Sequence, residues 1–80
     1  MQRCAVSIAS NIAEGSERDS NADYIRFLRI AKGSAAELQT QLHIAQQIGT
    51  IPPETATGLR KEAKEISAMT QGLIAYLLKS

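Results

Sequence analysis

Residues 21–48 read NADYIRFLRIAKGSAAELQTQLHIAQQI, and this stretch decides the fold. Tyr24, Phe27, Leu28, Ala31, Ala35, Leu38, Leu42 and Ala45 recur at steps of three and four, which puts them on one face of a helix roughly eight turns long. Ser20 or Asn21 supplies the N-cap, and Asp23 stands in the first turn, where the positive end of the helix dipole favours a carboxylate. Ile30, Ile44 and Ile48 form a second apolar line, rotated by about a quarter turn from the first. A helix that buries one face has no need of it, so the line is a candidate contact for another helix or subunit. Gly49 ends the segment.

Working outward, glycine and proline divide the rest of the chain. Gly15 with the polar run 16–21 makes one break and residues 49–53 make another. Upstream, residues 2–14 place Ala5, Ile8, Ala9 and Ile12 on one side and Arg3, Ser7, Ser10, Asn11 and Glu14 on the other, with Gly15 where a left-handed C-terminal cap is expected. Downstream, a third helix covers 53–79, because Pro53 suits a first turn and not an interior. Leu59, Ala63, Ile66, Thr70, Leu73 and Leu77 alternate steps of four and three, the seam of helices crossing at about 20°. No strand-like alternation is present. The expectation is an all-α single domain over residues 1–80, an antiparallel helical bundle with helices at about 2–14, 21–48 and 53–79.

The 80 residues are 44% hydrophobic, but only Tyr24, Phe27 and Tyr76 are aromatic, so the core is aliphatic. A domain this small leans on disulfides, a metal or oligomerisation. Cys4 is the sole cysteine and His43 the sole histidine, which excludes an intrachain disulfide and a Cys/His zinc site and leaves homo-oligomerisation. No apolar run approaches the ~18 residues of a membrane span. Ser7, Ser10 and Asn11 interrupt any signal-peptide centre, and the unpaired thiol points to the reducing cytoplasm.

The net charge of +1 does not by itself call for a polyanionic partner, so distribution matters more than the sum. Arg26, Arg29 and Lys32 share about a third of one helix's circumference, and Arg60, Lys61 and Lys64 occupy the first half of the next. Either group is suited to phosphates. The competing reading is a solvated surface, with Asp23, Glu62 and Glu65 neutralising both groups from i+3 and i+4 positions. Arg3, Ser7, Asn11 and Glu14 form a polar stripe that reads as a binding edge or as a cluster fastening the first turn to the bundle. Glu14 faces the negative end of its helix dipole and calls for a cation such as Arg18. Catalysis has no assembly: the inward Glu-x-x-His of bundle metal sites is absent, since Glu37 is followed by Thr40 and Glu62 by Glu65. His43 reads as an exposed imidazole and Cys4 as a packing residue. No enzyme, metal or cofactor is expected.

The run from Arg3 to Gly15 (RCAVSIASNIAEG), then Arg18, then Tyr24-Ile25-Arg26-Phe27-Leu28, then Ile30 to Leu38 (IAKGSAAEL), resembles the four-helix-bundle proteins also called 23S ribosomal RNA intervening-sequence proteins. The resemblance implies a small bacterial helical bundle assembled as a homopentamer, in a family of which one branch binds nucleic acid through a basic surface. It also implies a further long helix ahead of the Arg3 segment, so this sequence is expected to supply three helices of four. The expected function is a non-enzymatic oligomer that binds RNA, or a nucleic-acid-processing protein, through the six cations above. The alternative is a protein-interaction adaptor that docks through Ile30, Ile44 and Ile48.

Overall fold

The Ser20 side chain accepts a hydrogen bond from the Asp23 amide at 3.2 Å, so Ser20 rather than Asn21 caps the central helix. In this computed structural model, which describes residues 2–79, the elements are α1 (Gln2–Ser16), α2 (Asn21–Gln47) and α3 (Pro53–Lys79). At the far end of α2, Gly49 takes φ +79°, the Thr50 amide donates to the Ala45 carbonyl at 3.0 Å, and the Gly49 amide donates to Gln46 at 3.2 Å. Those two bonds are the Schellman closure that a glycine after a helix permits. Pro53 opens α3 as its ring requires.

The described residues form an all-α fold without strands. Helix α2 lies against both α1 and α3, whose backbones do not approach each other, while Ile12 of α1 reaches the cluster of Ile25, Leu28 and Ile74. The Lys32 to Gln71 and Asn21 to Leu77 hydrogen bonds set α2 and α3 antiparallel. The helices lie side by side in a layer of 44 × 20 × 13 Å. Buried Ile25, Leu28, Ala31, Ala35, Leu42 and Ala45 of α2 serve two half-cores. Ile8 packs with Ala31 and Ala35 on the α1 side, and Ile74 with Ile25 and Leu28 on the α3 side.

Two-sided burial explains where the apolar stripes depart from expectation. Ile25 is buried although it stands off the main stripe, because α2 packs through a wider arc than one neighbour would require. Helix α3 meets α2 with Ala56, Ala63, Thr70 and Ile74, whereas Leu59 and Ile66 of its expected seam are exposed, having no helix beside them. Helix α1 buries Cys4 and Ile8, leaves Ala5 and Ala9 exposed, and turns Ser7 and Asn11 partly inward.

Gly15 is not a left-handed cap, since α1 continues through it to Ser16 and Gly49 is the only positive-φ residue among those described. Its role is close approach. A Cβ at Gly15 would stand 2.9 Å from Phe27 Cβ and 2.9 Å from Tyr24 Cδ1. Gly15→Ala therefore overpacks this corner and is expected to lower stability by about 1–3 kcal/mol. Gly33→Ala, on α2 with nothing within 4 Å of its new Cβ, is expected to raise stability by about 0.5–1 kcal/mol through backbone entropy. A raised urea midpoint for Gly15→Ala would contradict the close approach, and a lowered one for Gly33→Ala would contradict the open site.

Candidate nucleic-acid interface

One side of the three-helix layer carries an apolar groove and the other a basic recess. On the first, a groove of about 710 Å³ runs between α1 and α3 over α2, floored by Leu28, Leu38 and Leu42 and walled by residues such as Ile8, Ile12, Ile66 and Leu73. Glu62 and Thr70 are its polar members, and the Thr70 hydroxyl is committed to the Ile66 carbonyl at 2.7 Å. Ile30, Ile44 and Ile48 are not part of this groove; they lie elsewhere on α2, 44%, 52% and 69% exposed.

On the other side, Arg60, Lys61 and Lys64 line a recess of about 430 Å³ at the seam between α2 and α3, together with Gln39 and Thr57. Lys32 belongs to the same row. Its ammonium donates to Gln71 Oε1 at 2.6 Å across the seam, and both Lys32 to Gln39 and Lys64 to Gln71 are seven residues apart, close to two full turns. Arg29 and Arg26 stand progressively further round α2, by roughly 60° for each step of three residues, and away from the recess. The six cations expected to act together thus divide into a seam row of four and two on the outer side of α2.

Arg26 is engaged elsewhere. Its Nε lies 3.9 Å from Asp23 Oδ1, and its guanidinium sits 4.7 Å from the Phe27 ring centroid. Arg18 sits over the same ring at 4.9 Å and also pairs with Glu14. This is the cation Glu14 requires at its helix C-terminus, and the corner of Gly15, Phe27, Arg18 and Arg26 locks the α1 end onto the α2 start. Cation–π contacts at such exposed sites stabilise by about 0.5–1 kcal/mol.

Neither Glu62 nor Glu65 neutralises the seam. Among the described residues the ion pairs are Arg18 with Glu14 and Arg26 with Asp23, so Arg60, Lys61 and Lys64 have no carboxylate within 4 Å. For Glu62 the cause is helical phase: it is two residues from Lys64, hence on nearly the opposite side of α3, and it lines the apolar groove; Glu65, four residues from Lys61, shares its face without closing to an ion pair.

The polar stripe of α1 faces α2 through its middle. Ser7 Oγ and Ser34 Oγ are 2.9 Å apart, and Asn11 Nδ2 donates to the Ser7 carbonyl at 2.7 Å and to Ser7 Oγ at 3.1 Å. Arg3 is exposed at one end and Glu14 at the other. Cys4 is buried, its thiol 3.5 Å from Gln41 Oε1, while His43 is exposed on the α2 edge that carries Lys32 and Gln39. The described residues contain no group of three or more His, Cys, Asp or Glu side chains suited to a metal ion.

Gln39, Thr57 and Ser34 are site members that the sequence reading did not single out. The seven-residue steps from Lys32 to Gln39 and from Lys64 back to Thr57 mark both, but nothing local marks Ser34, whose partner Ser7 comes from another helix. A model of the 23S rRNA-intervening sequence protein family matches residues 1–72. No curated protein matches the chain.

The Ser7–Ser34 contact joins α1 to α2, so Ser7→Ala and Ser34→Ala are each expected to lower stability by about 0.5–1.5 kcal/mol. Because they remove one shared bond, the double variant should lose less than the sum. Strict additivity in urea denaturation would show that the two hydroxyls are not coupled.

Proposed function

We start from the fact that the chain belongs to the 23S rRNA-intervening sequence protein family, and we propose that it is a non-enzymatic protein that self-associates and binds structured RNA through its basic face. The observation that carries this reading is the recess of Arg60, Lys61 and Lys64, joined along the seam by Lys32 and free of carboxylates. Phosphate affinity grows with each cation that displaces a condensed counterion, and a symmetric assembly repeats the row on every subunit. The non-enzymatic part rests on the scatter of reactive groups: Cys4 is buried, His43 is exposed, and no general base lies beside a nucleophile among the described residues.

Self-association is supported by the apolar surface one chain leaves open. Ile44, Ile48, Met69 and Leu78 are all more than half exposed, in addition to the groove. Five subunits are what the family resemblance implies. No helix of the described residues is long and apolar enough to cross a membrane, and we place the protein in the cytoplasm. A second reading, a protein-binding adaptor without RNA, is favoured by the Ile30, Ile44 and Ile48 line, which projects on the side of α2 away from the groove.

The test is RNA binding by the assembled protein over a salt series. Binding to a structured RNA is expected to weaken by about a hundredfold between 50 and 200 mM salt if the four seam cations of one subunit engage phosphates. Reversing Lys32, Arg60, Lys61 and Lys64 to Glu should abolish it. Absence of binding at low salt, with a stoichiometric protein co-purifying instead, would replace RNA binding by the adaptor reading. In sedimentation, Ile44→Glu with Ile48→Glu is expected to shift the assembly toward smaller species, and an unchanged distribution would remove that line from the subunit contact.

A further inference from the structure

We infer that the α2–α3 seam is a backbone-reading site for duplex RNA, in which one strand's phosphates lie along Lys32, Lys64, Arg60 and Lys61 and bases are not read. The inference rests on the RNA-binding reading above and specifies which surface acts and on what form of RNA.

The row is linear and of definite length. Lys32 is level with Gln71, to which it donates a hydrogen bond. From Gln71 back to Lys64 is seven residues and to Arg60 eleven, so at ~1.5 Å per residue the cations extend over roughly 16 Å. A row of this length is long enough to meet more than one phosphate of a strand. Gln39 and Thr57 line the same recess and offer an amide and a hydroxyl, which suit phosphate oxygens and ribose 2′-hydroxyls.

What the seam lacks identifies the form of the ligand. Binding of single strands depends on aromatic side chains on which bases stack, and none lines the recess. Phe27 is covered by the Arg18 and Arg26 guanidiniums, Tyr24 packs in the α2–α3 core cluster, and Tyr76 stands roughly 140° round α3 from Gln71. A cationic row with hydroxyl and amide donors but no stacking platform matches duplex RNA, whose accessible features are phosphates and 2′-hydroxyls. No carboxylate lines the recess, so an anion entering it meets only cations and neutral polar groups there.

The experiment measures fluorescence anisotropy of the full chain with two short RNA duplexes of unrelated sequence and with one of their single strands, across salt. The expected result is binding of both duplexes within about threefold of each other and weaker binding of the single strand. Lys61→Gln with Lys64→Gln should reduce the slope of log affinity against log salt by about 1.8, from ~0.9 per cation removed. Arg26→Gln with Arg29→Gln should leave that slope nearly unchanged. All four side chains are exposed, and a circular dichroism melt checks that both variants keep the fold. Loss of binding in the Arg26/Arg29 variant alone would overturn the seam site while leaving RNA binding intact. Tighter binding of the single strand, or strong preference between the duplexes, would overturn backbone reading. Failure of the unaltered protein to bind any RNA would remove the underlying RNA-binding reading as well.

Discussion

Everything in this structure depends on one helix being packed from two sides. Helix α2 is the only described element whose backbone lies against both others, and the two half-cores meet along it, with Ile12 of α1 packing against both. The arrangement needs small residues at both contacts. Ala31 and Ala35 are essentially fully buried on α2, as are Ala56 and Ala63 on α3, and their lack of bulk lets the helices approach closely. Leu28, Leu42 and Ile74 then supply the largest fully buried side chains, each stabilising by about 1.5–3 kcal/mol relative to exposure.

The same constraint divides the surface. Since α1 and α3 flank α2, apolar side chains from all three helices converge in a groove on one side of the layer, and the other side carries the cations together with the exposed Ile30, Ile44 and Ile48. Helix α1 is the short partner. It adds to its apolar contact the Ser7–Ser34 bond and the close approach at Gly15, where the Phe27 ring lies under two guanidiniums. The most recognisable part of the sequence, from Ser7 to Gly15 with Arg18 and Phe27, is thus the part that secures α1 to α2. The residues suited to a ligand lie elsewhere.

This explains which features were legible in the sequence. Helix positions and the all-α class follow from periodicity and end signals, and Ser20, Gly49 and Pro53 act as their chemistry dictates. Periodicity fixes the phase of a helix but not the number of its neighbours. The apolar stripe of α2 therefore omits the buried Ile25, and the seam pattern of α3 includes Leu59 and Ile66, which stay exposed. Gly15 departs from its expected role for a related reason. A glycine after an apolar run signals a left-handed turn unless a tertiary contact needs its missing side chain, and that contact comes from residues nine and twelve positions later. The basic groups were visible, but their regrouping was not, because Lys32 joins Lys64 only through the antiparallel register of α2 and α3.

The near-neutral net charge misleads in the same way, by summing over a surface that the fold has sorted. Glu14 and Asp23 are taken up by Arg18 and Arg26 at the α1–α2 corner, and Glu62 is turned to the apolar groove. An α-helix with its side chains is ~10–12 Å across, and the Debye length at physiological salt is ~8 Å. A carboxylate on the far side of α3 from Lys64 is consequently screened from it by more than the intervening helix. Arg60 and Lys64 therefore keep their local field against Glu62, whereas Glu65, one turn from Lys61 on the same face, offsets part of it, so helical phase rather than total charge decides what this surface attracts.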